Sequence, residues 1–281
     1  MLGLTGELSR RSGGSACAAV FTALVGADRV LVDVSGLRLA SSAAAQVLPS
    51  ALLAAGGWPW ARLALFGADR TLAAALWAAR VPSAVPLAPD EATARRLLDV
   101  RPPFVARRLD LPEAPSSAHR ARLFVGSACD DWDPAHDHPS AAQLHDDAVM
   151  VVNELVTNAV THARTGCRVA VQLAGSRLEI AVRDYRRNWT TSGHPATAPR
   201  GEWRGLSLVA ALSREWGVSP ADGGKVVWAV LPPAPAAVRG TGHGGASRSG
   251  RSEGGPTRPR RLVPVAGTGR PSQRGTAPGK A

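Results

Sequence analysis

The chain has 281 residues and a formal net charge of +11, a length that suits one or two domains with extensions. No apolar run approaches the roughly 20 residues of a membrane span, and Met1–Arg11 lacks the apolar stretch of a signal peptide. Cys17, Cys129 and Cys167 have neither the spacing of a metal site nor that of a disulfide framework. The sequence therefore predicts a cytoplasmic protein without membrane contact, whose cysteines are small buried apolar residues.

The positive charge is concentrated at the C-terminal end. Residues Ala234–Ala281 contain nine basic residues and one acidic residue, which accounts for +8 of the net charge of +11. The rest of the chain is nearly neutral, so we expect no direct nucleic-acid binding by the folded body. The C-terminal segment is rich in Gly, Pro, Ser and Arg, which predicts a disordered tail with either a weak electrostatic role or none.

Residues 1–100 alternate short apolar runs with helical patterns, which is typical of an α/β layer. The runs Val30–Val34 and Arg62–Phe66 predict buried strands that end before glycine or a Ser-Gly pair. The patterns at Ala43–Ala55 and Thr71–Ala79 predict helices that stop at glycine or before proline.

A Pro-, Ala- and Ser-rich stretch over 101–117 predicts a linker that runs into the first strand of a second domain, which covers 118–233. The second domain contains the best helical pattern of the chain, followed by an alternating hairpin pattern. Its predicted elements are a helix over Ser140–Ala163, strands over Arg168–Leu173 and Leu178–Val182, a helix over Leu206–Arg214 and a strand over Lys225–Leu231.

The long helix carries three polar residues at a spacing of four. Glu154, Asn158 and His162 would share one face, opposite a row of valines and leucines. One interpretation is a solvated face. The other is a face turned towards a polyphosphate, since an amide oxygen suits Mg²⁺ and a carboxylate can position or deprotonate an attacking hydroxyl.

The string Glu154-Leu-Val-Thr-Asn158-Ala-Val-Thr-His162-Ala resembles the N-box of the Bergerat-fold ATPases, a superfamily that includes histidine kinases, Hsp90-type ATPases and the anti-sigma-factor serine kinases. The last group is the most similar, over about Phe104–Pro233. The resemblance implies a Bergerat-type α/β sandwich, in which a mixed sheet has helices on one face. It also implies ATP and Mg²⁺ as ligands.

The resemblance assigns roles to three acidic or amide residues. Asn158 matches the residue that coordinates Mg²⁺, and Glu154 matches the base or water-positioning residue. Asp184, at the end of a strand, matches the residue that accepts a hydrogen bond from the adenine amino group, a role that suits a carboxylate.

The resemblance also places a phosphate lid before the last helix. Gly205 would permit close backbone approach, the helix start at Leu206 would offer free N–H groups to phosphate, and Arg204 is a candidate phosphate contact. The family usually has Gly-Arg-Gly-Leu where this chain has Trp203-Arg204-Gly205-Leu206, so the closure of the lid over a triphosphate is an open question.

The segments Leu2–Leu8, Val30–Leu37 and Ala40–Ser42 resemble a STAS domain, the class of anti-sigma-factor antagonists. Ser42 matches the phosphorylated serine of that family, but Ser41 replaces the usual preceding Asp. A serine before an apolar helix is also an ordinary N-cap, and the sequence favours that interpretation of Ser42. Met1 falls where the family is already inside a strand, so we expect either a lost first strand or a start further upstream.

Together these resemblances imply an ATP-binding regulatory protein, a serine/threonine kinase of the anti-sigma type that acts on STAS-type partner proteins. The expected partners are a STAS-type antagonist, a sigma factor or both, and a homodimer fits the family. A second hypothesis is a non-catalytic module that binds nucleotide or docks partners, which the altered Ser41-Ser42 site and Trp203 favour.

Overall fold

The computed structural model describes residues 1–134, 141–186 and 204–231, all within the compact unit Met1–Ala237. The strands of these residues form two sheets, one of four strands and one of five. The predicted tail, and Trp203 of the predicted lid, lie outside the described residues. No helix of the described ranges is long and apolar enough to cross a membrane.

The first sheet is parallel throughout, in the order β1-β2-β3-β4, because a helix crosses over between each pair of consecutive strands. Val32 and Leu65 face the larger core on one side, whereas Leu31 and Ala64 pack with Ala94 on the other. The elements are β1 (Leu2–Leu8), α1 (Gly13–Gly26), β2 (Arg29–Leu39), α2 (Val47–Ala54), β3 (Arg62–Phe66), α3 (Arg70–Ala78), β4 (Leu87–Ala88) and α4 (Glu91–Leu97).

The predicted strands of this part are confirmed, and β3 has the predicted bounds. The helix predicted over Ala43–Ala55 begins as a 3₁₀ turn at Ala44–Gln46 and becomes α-helical in α2. The sequence analysis did not predict α4, although it has a clear start signal: the Asp90 carboxylate accepts a hydrogen bond from the backbone N–H of Thr93 at 2.7 Å.

The second sheet has the strand order β5-β6-β7-β9-β8. Its helices lie on one face, as predicted, and bury residues such as Val125, Val151 and Leu155 against Val171 and Ile180 of the sheet. The elements are β5 (Phe104–Leu111), α5 (Ser116–Trp132), α6 (Ala141–Asn158), β6 (Cys167–Ala174), β7 (Arg177–Asp184), α7 (Arg204–Leu212), β8 (Glu215–Ala221) and β9 (Gly224–Val230).

The prediction of an α/β sandwich is confirmed, but the expected mixed sheet is wrong: all of its pairings are antiparallel. Two of these pairings follow from the connections. Two-residue turns join β6 to β7 and β8 to β9, with Gly175 and Gly223 at positive φ, and such hairpins can only pair antiparallel strands.

A cluster of aromatic and charged side chains joins the first part of the chain to the second. We call it the tryptophan node; it contains Trp58, Trp60, Arg107, Asp131 and Trp132. The Arg107 side chain is buried, and its Nη2 donates to Oδ2 of Asp131 at 2.6 Å. Its guanidinium lies over the rings of Trp60 and Trp132, 5.9 and 5.3 Å from their centroids. The indole N–H of Trp132 donates to the carbonyl of Trp58 at 2.9 Å.

The backbone next to the node also requires close contact. Gly57 has φ +69°, and a Cβ there would lie 2.6 Å from the carbonyl oxygen of Ala106 in β5. Only glycine both adopts this conformation readily and leaves room for the strand. The turn before β3 is therefore held against β5 and α5 by backbone contact as well as by the node.

We predict that Arg107→Ala lowers the free energy of unfolding by on the order of 3 kcal/mol, since it leaves Asp131 partly buried without its cation. Urea denaturation would measure this change. The control is Arg95→Ala, which breaks the exposed pair between Arg95 and Glu91 and should cost less than about 1 kcal/mol. Equal small effects of both changes would contradict a stabilising role for the node.

Candidate functional site

The polar face of α6 lies at its C-terminal end. Val151, Val152 and Leu155 are buried in the core of the second sheet, so Glu154 and Asn158 are held on the other side of the helix, where both are half-buried. This arrangement excludes the interpretation of a fully solvated face for these two residues.

The helix changes its winding directly after Asn158. Residues Ala159–Ala163 form a π-helical turn, which is wider than an α-helical turn. His162 lies in this turn and is exposed, whereas Glu154 and Asn158 are half-buried. The single face shared by the three polar residues stays a prediction for His162.

The Glu154 carboxylate is oriented by neighbours that the sequence analysis did not identify. Oε1 of Glu154 accepts from Nδ2 of Asn153 at 3.1 Å, and Oδ1 of Asn153 accepts from Nη1 of Arg122 in α5 at 2.6 Å. Asn153 could have been noticed as the residue before Glu154. Arg122 could not, because only the packing of α5 on α6 brings it there.

The start of α7 packs directly on this face. A Cβ at Gly205 would overlap Oε2 of Glu154 and would lie 3.6 Å from Nδ2 of Asn158. The absence of a Cβ at Gly205 therefore leaves room for the Glu154 carboxylate in its present orientation. Leu206 packs against the hydrophobic core and fixes the helix start, whose second residue is Gly205. The side chain of Arg204 lies outside the described residues.

Asp184 is 3% exposed at the end of β7, where the register of the sheet aligns Leu111, Cys167, Asp184 and Lys225. Its Oδ2 lies 2.6 Å from Nζ of Lys225, and its Oδ1 accepts from the backbone N–H of Arg186 at 3.2 Å. The carboxylate expected to receive adenine thus already has a cationic partner, and nothing in the sequence analysis predicted that pair.

Asp184 is linked to the end of α6 through the residues that follow it. Nη1 of Arg186 donates to the carbonyl of His162 at 3.0 Å, and the N–H of Tyr185 donates to Oγ1 of Thr165 at 3.3 Å. Hydrogen bonds therefore connect the end of the α6 segment to the end of β7.

The cysteine beside Asp184 is not a reactive group. Burial, and after it the negative charges of Asp184 and Asp110, raise the pKa of the Cys167 thiol to about 11. Burial likewise raises the pKa of Cys129 to about 12. Both thiols are therefore protonated near neutral pH and behave as small apolar residues, as predicted.

The donor set at the end of α6 fits Mg²⁺ bound together with phosphate. The buried Nδ2 of Asn158 has no hydrogen-bond partner in the described structure and can donate to a phosphate oxygen, whereas Mg²⁺ would take the amide oxygen. Amide and carboxylate oxygens are hard ligands of the kind that Mg²⁺ takes. Within the described ranges there is no group of three or more His, Cys, Asp or Glu that could hold a metal alone, so phosphate oxygens and water would complete the coordination.

Ser42 lies in the first part of the chain, exposed in the turn before the 3₁₀ helix. The prediction that Ser42 caps this helix is wrong: Ser41 receives the N–H of Ala44, at 3.4 Å to its Oγ and 3.1 Å to its carbonyl oxygen. The hydroxyl of Ser42 makes none of the cap hydrogen bonds of the two helices that follow, so its assignment as a phosphorylation site stays a prediction.

Residues 111–231 match the sequence family described as the histidine kinase-like ATPase domain. Among solved structures, the RsbU and RsbW domains of Rv1364c from Mycobacterium tuberculosis match with 23% identity and a TM-score of 0.33. That match covers 47% of this chain and only 33% of the other chain, and a TM-score this low does not establish a shared fold. No curated protein sequence matches the chain.

We predict that Gly205→Ala leaves the free energy of unfolding within about 1 kcal/mol of its original value, since alanine favours a helix and the Glu154 carboxylate can rotate away. Urea denaturation measures the stability, and the side-chain signals of Asn153 in an NMR spectrum report whether Glu154 has moved. Gly14→Ala in α1 is the control, because a Cβ there meets nothing within 4 Å. A loss of several kcal/mol would show that the backbone of α7 has to move to make room for the alanine Cβ and that rotation of the Glu154 carboxylate is not sufficient.

Proposed function

We propose that residues 111–231, which match the histidine kinase-like ATPase family, bind ATP with Mg²⁺ and transfer its terminal phosphoryl group to a serine or threonine of a partner protein. One observation carries the proposal: Glu154 and Asn158 lie side by side on α6, and the start of α7 packs on both through Gly205. A carboxylate, an amide and a helix N-terminus are the groups that phosphoryl transfer requires.

In this proposal each residue has a separate task. Asn158 would hold Mg²⁺ through its amide oxygen, and Mg²⁺ when bound neutralises charge on the phosphate oxygens. Glu154 would accept the proton of the attacking hydroxyl, and Asn153 and Arg122 keep its carboxylate oriented for that purpose. Asp184 would accept the N–H of the adenine amino group.

The phosphates would lie at the start of α7. The backbone N–H groups of Gly205 and Leu206 belong to the first described turn of α7, and the N-terminal turn of a helix favours an anion. Arg204, in the same turn, would add a charge-assisted hydrogen bond. These three residues are proposed as phosphate contacts together with the lid that precedes them.

The partner is proposed from the first part of the chain. Residues 1–100 carry the STAS-like segments, and four parallel strands with crossover helices are compatible with that resemblance. A kinase-like domain joined to a STAS-like one suits a network in which the kinase acts on STAS-type proteins, a sigma factor or both. The exposed hydroxyl of Ser42 is the proposed phosphorylation site within this chain.

The second candidate function is a nucleotide-binding or partner-docking module without catalysis. The ion pair between Asp184 and Lys225 favours it, because the pair competes for the carboxylate that would receive the base. Phosphotransfer to a STAS-type protein separates the two functions: a kinase transfers phosphate from ATP, and a docking module does not.

We predict that calorimetric titration detects ATP binding in the presence of Mg²⁺. Asn158→Ala and Asp184→Ala should each weaken it by about 10- to 100-fold, the effect of losing one hydrogen bond or ligand contact to a charged group. Thr157→Ala, on the exposed side of the same helix, is the control and should bind like the unchanged protein. Absence of binding in the unchanged protein would reject an ATP site.

We predict that Glu154→Gln lowers the rate of phosphotransfer by a factor of about 10² to 10⁴ while the affinity for ATP stays the same, because the amide cannot accept the proton. Transfer of labelled phosphate from ATP to a panel of STAS-type proteins would measure the rate. Glu113→Gln, an exposed change outside the site, is the control. An unchanged rate in Glu154→Gln would rule out Glu154 as the base.

A further inference from the structure

The last strand of the second sheet places an ammonium group on the carboxylate of the proposed base-recognition residue. The register of β7 and β9 sets Lys225 opposite Asp184, and Nζ lies 2.6 Å from Oδ2. The carboxylate is 4% exposed and the Lys225 side chain 18%, so the pair sits at the border between the core and the site surface.

The backbone around Asp184 is closely packed, since a Cβ at Gly224 would overlap the backbone carbonyl oxygen of Asp184. Oδ1 of the carboxylate accepts the N–H of Arg186. Cys167 lies opposite Asp184 on β6 and carries a neutral thiol. Among the described polar partners of its carboxylate, Arg186 contributes a backbone N–H, whereas Lys225 contributes the end of a flexible side chain that can move away without displacing backbone.

The residue type at this position matters. Only two of the 33 basic residues of the chain are lysines, and Lys225 is one of them. Arginine would bind a carboxylate through two parallel hydrogen bonds from a planar guanidinium group. Lysine instead carries one ammonium group on a flexible side chain, and water hydrates that group readily. Lys225 therefore binds the Asp184 carboxylate strongly but can leave it.

We propose that Lys225 sets the affinity and base preference of the nucleotide site by holding the Asp184 carboxylate, so that an adenine amino group binds only when the ammonium leaves. This inference rests on the proposed function. A charged donor forms a stronger hydrogen bond to a carboxylate than the neutral amino group of adenine does. The base must therefore displace a better partner, and the site binds ATP weakly until Lys225 is released.

The direction of the effect separates this role from others. A lysine that contacts the triphosphate would attract it by charge, and removal of that lysine would weaken the binding of ATP. A lysine that competes with the base has the opposite sign: its removal strengthens ATP binding. The preference should also depend on the base, because purine riboside triphosphate has a hydrogen in place of the amino group and no proton on N1, so that edge of the base offers a freed carboxylate no donor.

The experiment is calorimetric titration of the full chain with ATP and with purine riboside triphosphate, in the presence of Mg²⁺, for Lys225→Met and Lys225→Arg. Lys225→Met should bind ATP at least tenfold more tightly than the unchanged protein and purine riboside triphosphate no more tightly. Lys225→Arg keeps the charge, grips the carboxylate more firmly and should bind ATP several-fold more weakly; it decides the question if Lys225→Met does not fold.

Equal or weaker ATP binding in Lys225→Met, a gain of the same size for both nucleotides, or unchanged ATP binding in Lys225→Arg would overturn the inference. Asn158→Ala in the same series separates this failure from that of the proposed function. If the unchanged protein binds ATP, Asn158→Ala weakens it and Lys225→Met does not strengthen it, only the role of Lys225 is wrong. If no variant binds either nucleotide, both proposals are wrong.

Discussion

Burial of the apolar side of α6 is the constraint on which the candidate site depends. Val151, Val152 and Leu155 lie in the core against the antiparallel sheet, and each contributes about 1.5 to 3 kcal/mol when removed from water. With that side fixed, the helical period leaves Glu154 and Asn158 no orientation except towards α7. The chemistry of the site thus follows from the packing of the opposite side of the same helix.

The contact with α7 adds a second requirement, because two polar side chains and a helix start meet without an intervening side chain. Gly205 meets this requirement by having no Cβ. The carboxylate of Glu154 then lies at a helix N-terminus, where the helix dipole favours negative charge. The N-terminal end of α7, which favours the negative charge of Glu154, would also favour a phosphate group.

Some features of the fold depend on neighbours along the chain, and others depend on residues far apart in sequence. In the parallel sheet, β2 and β3 and the helices α2 and α3 follow from local apolar runs and stop signals. The tryptophan node is different: Arg107 meets Trp60 and Asp131 only because the turn at Gly57 reaches β5. Such a contact links positions far apart in the chain, and no periodic pattern marks it.

The sequence by itself determined what depends on neighbours along the chain: the hairpin of β6 and β7, the helix that carries Glu154 and Asn158, and the resemblance of that string to an ATPase motif. The tertiary structure alone decided what depends on the register and packing of distant segments. It paired Asp184 with Lys225, connected Arg122 to Glu154 through Asn153, and wound the chain after Asn158 into a π-helical turn. Spacing reports only on residues within one element, whereas a buried carboxylate takes its partner from whichever strand the sheet places beside it.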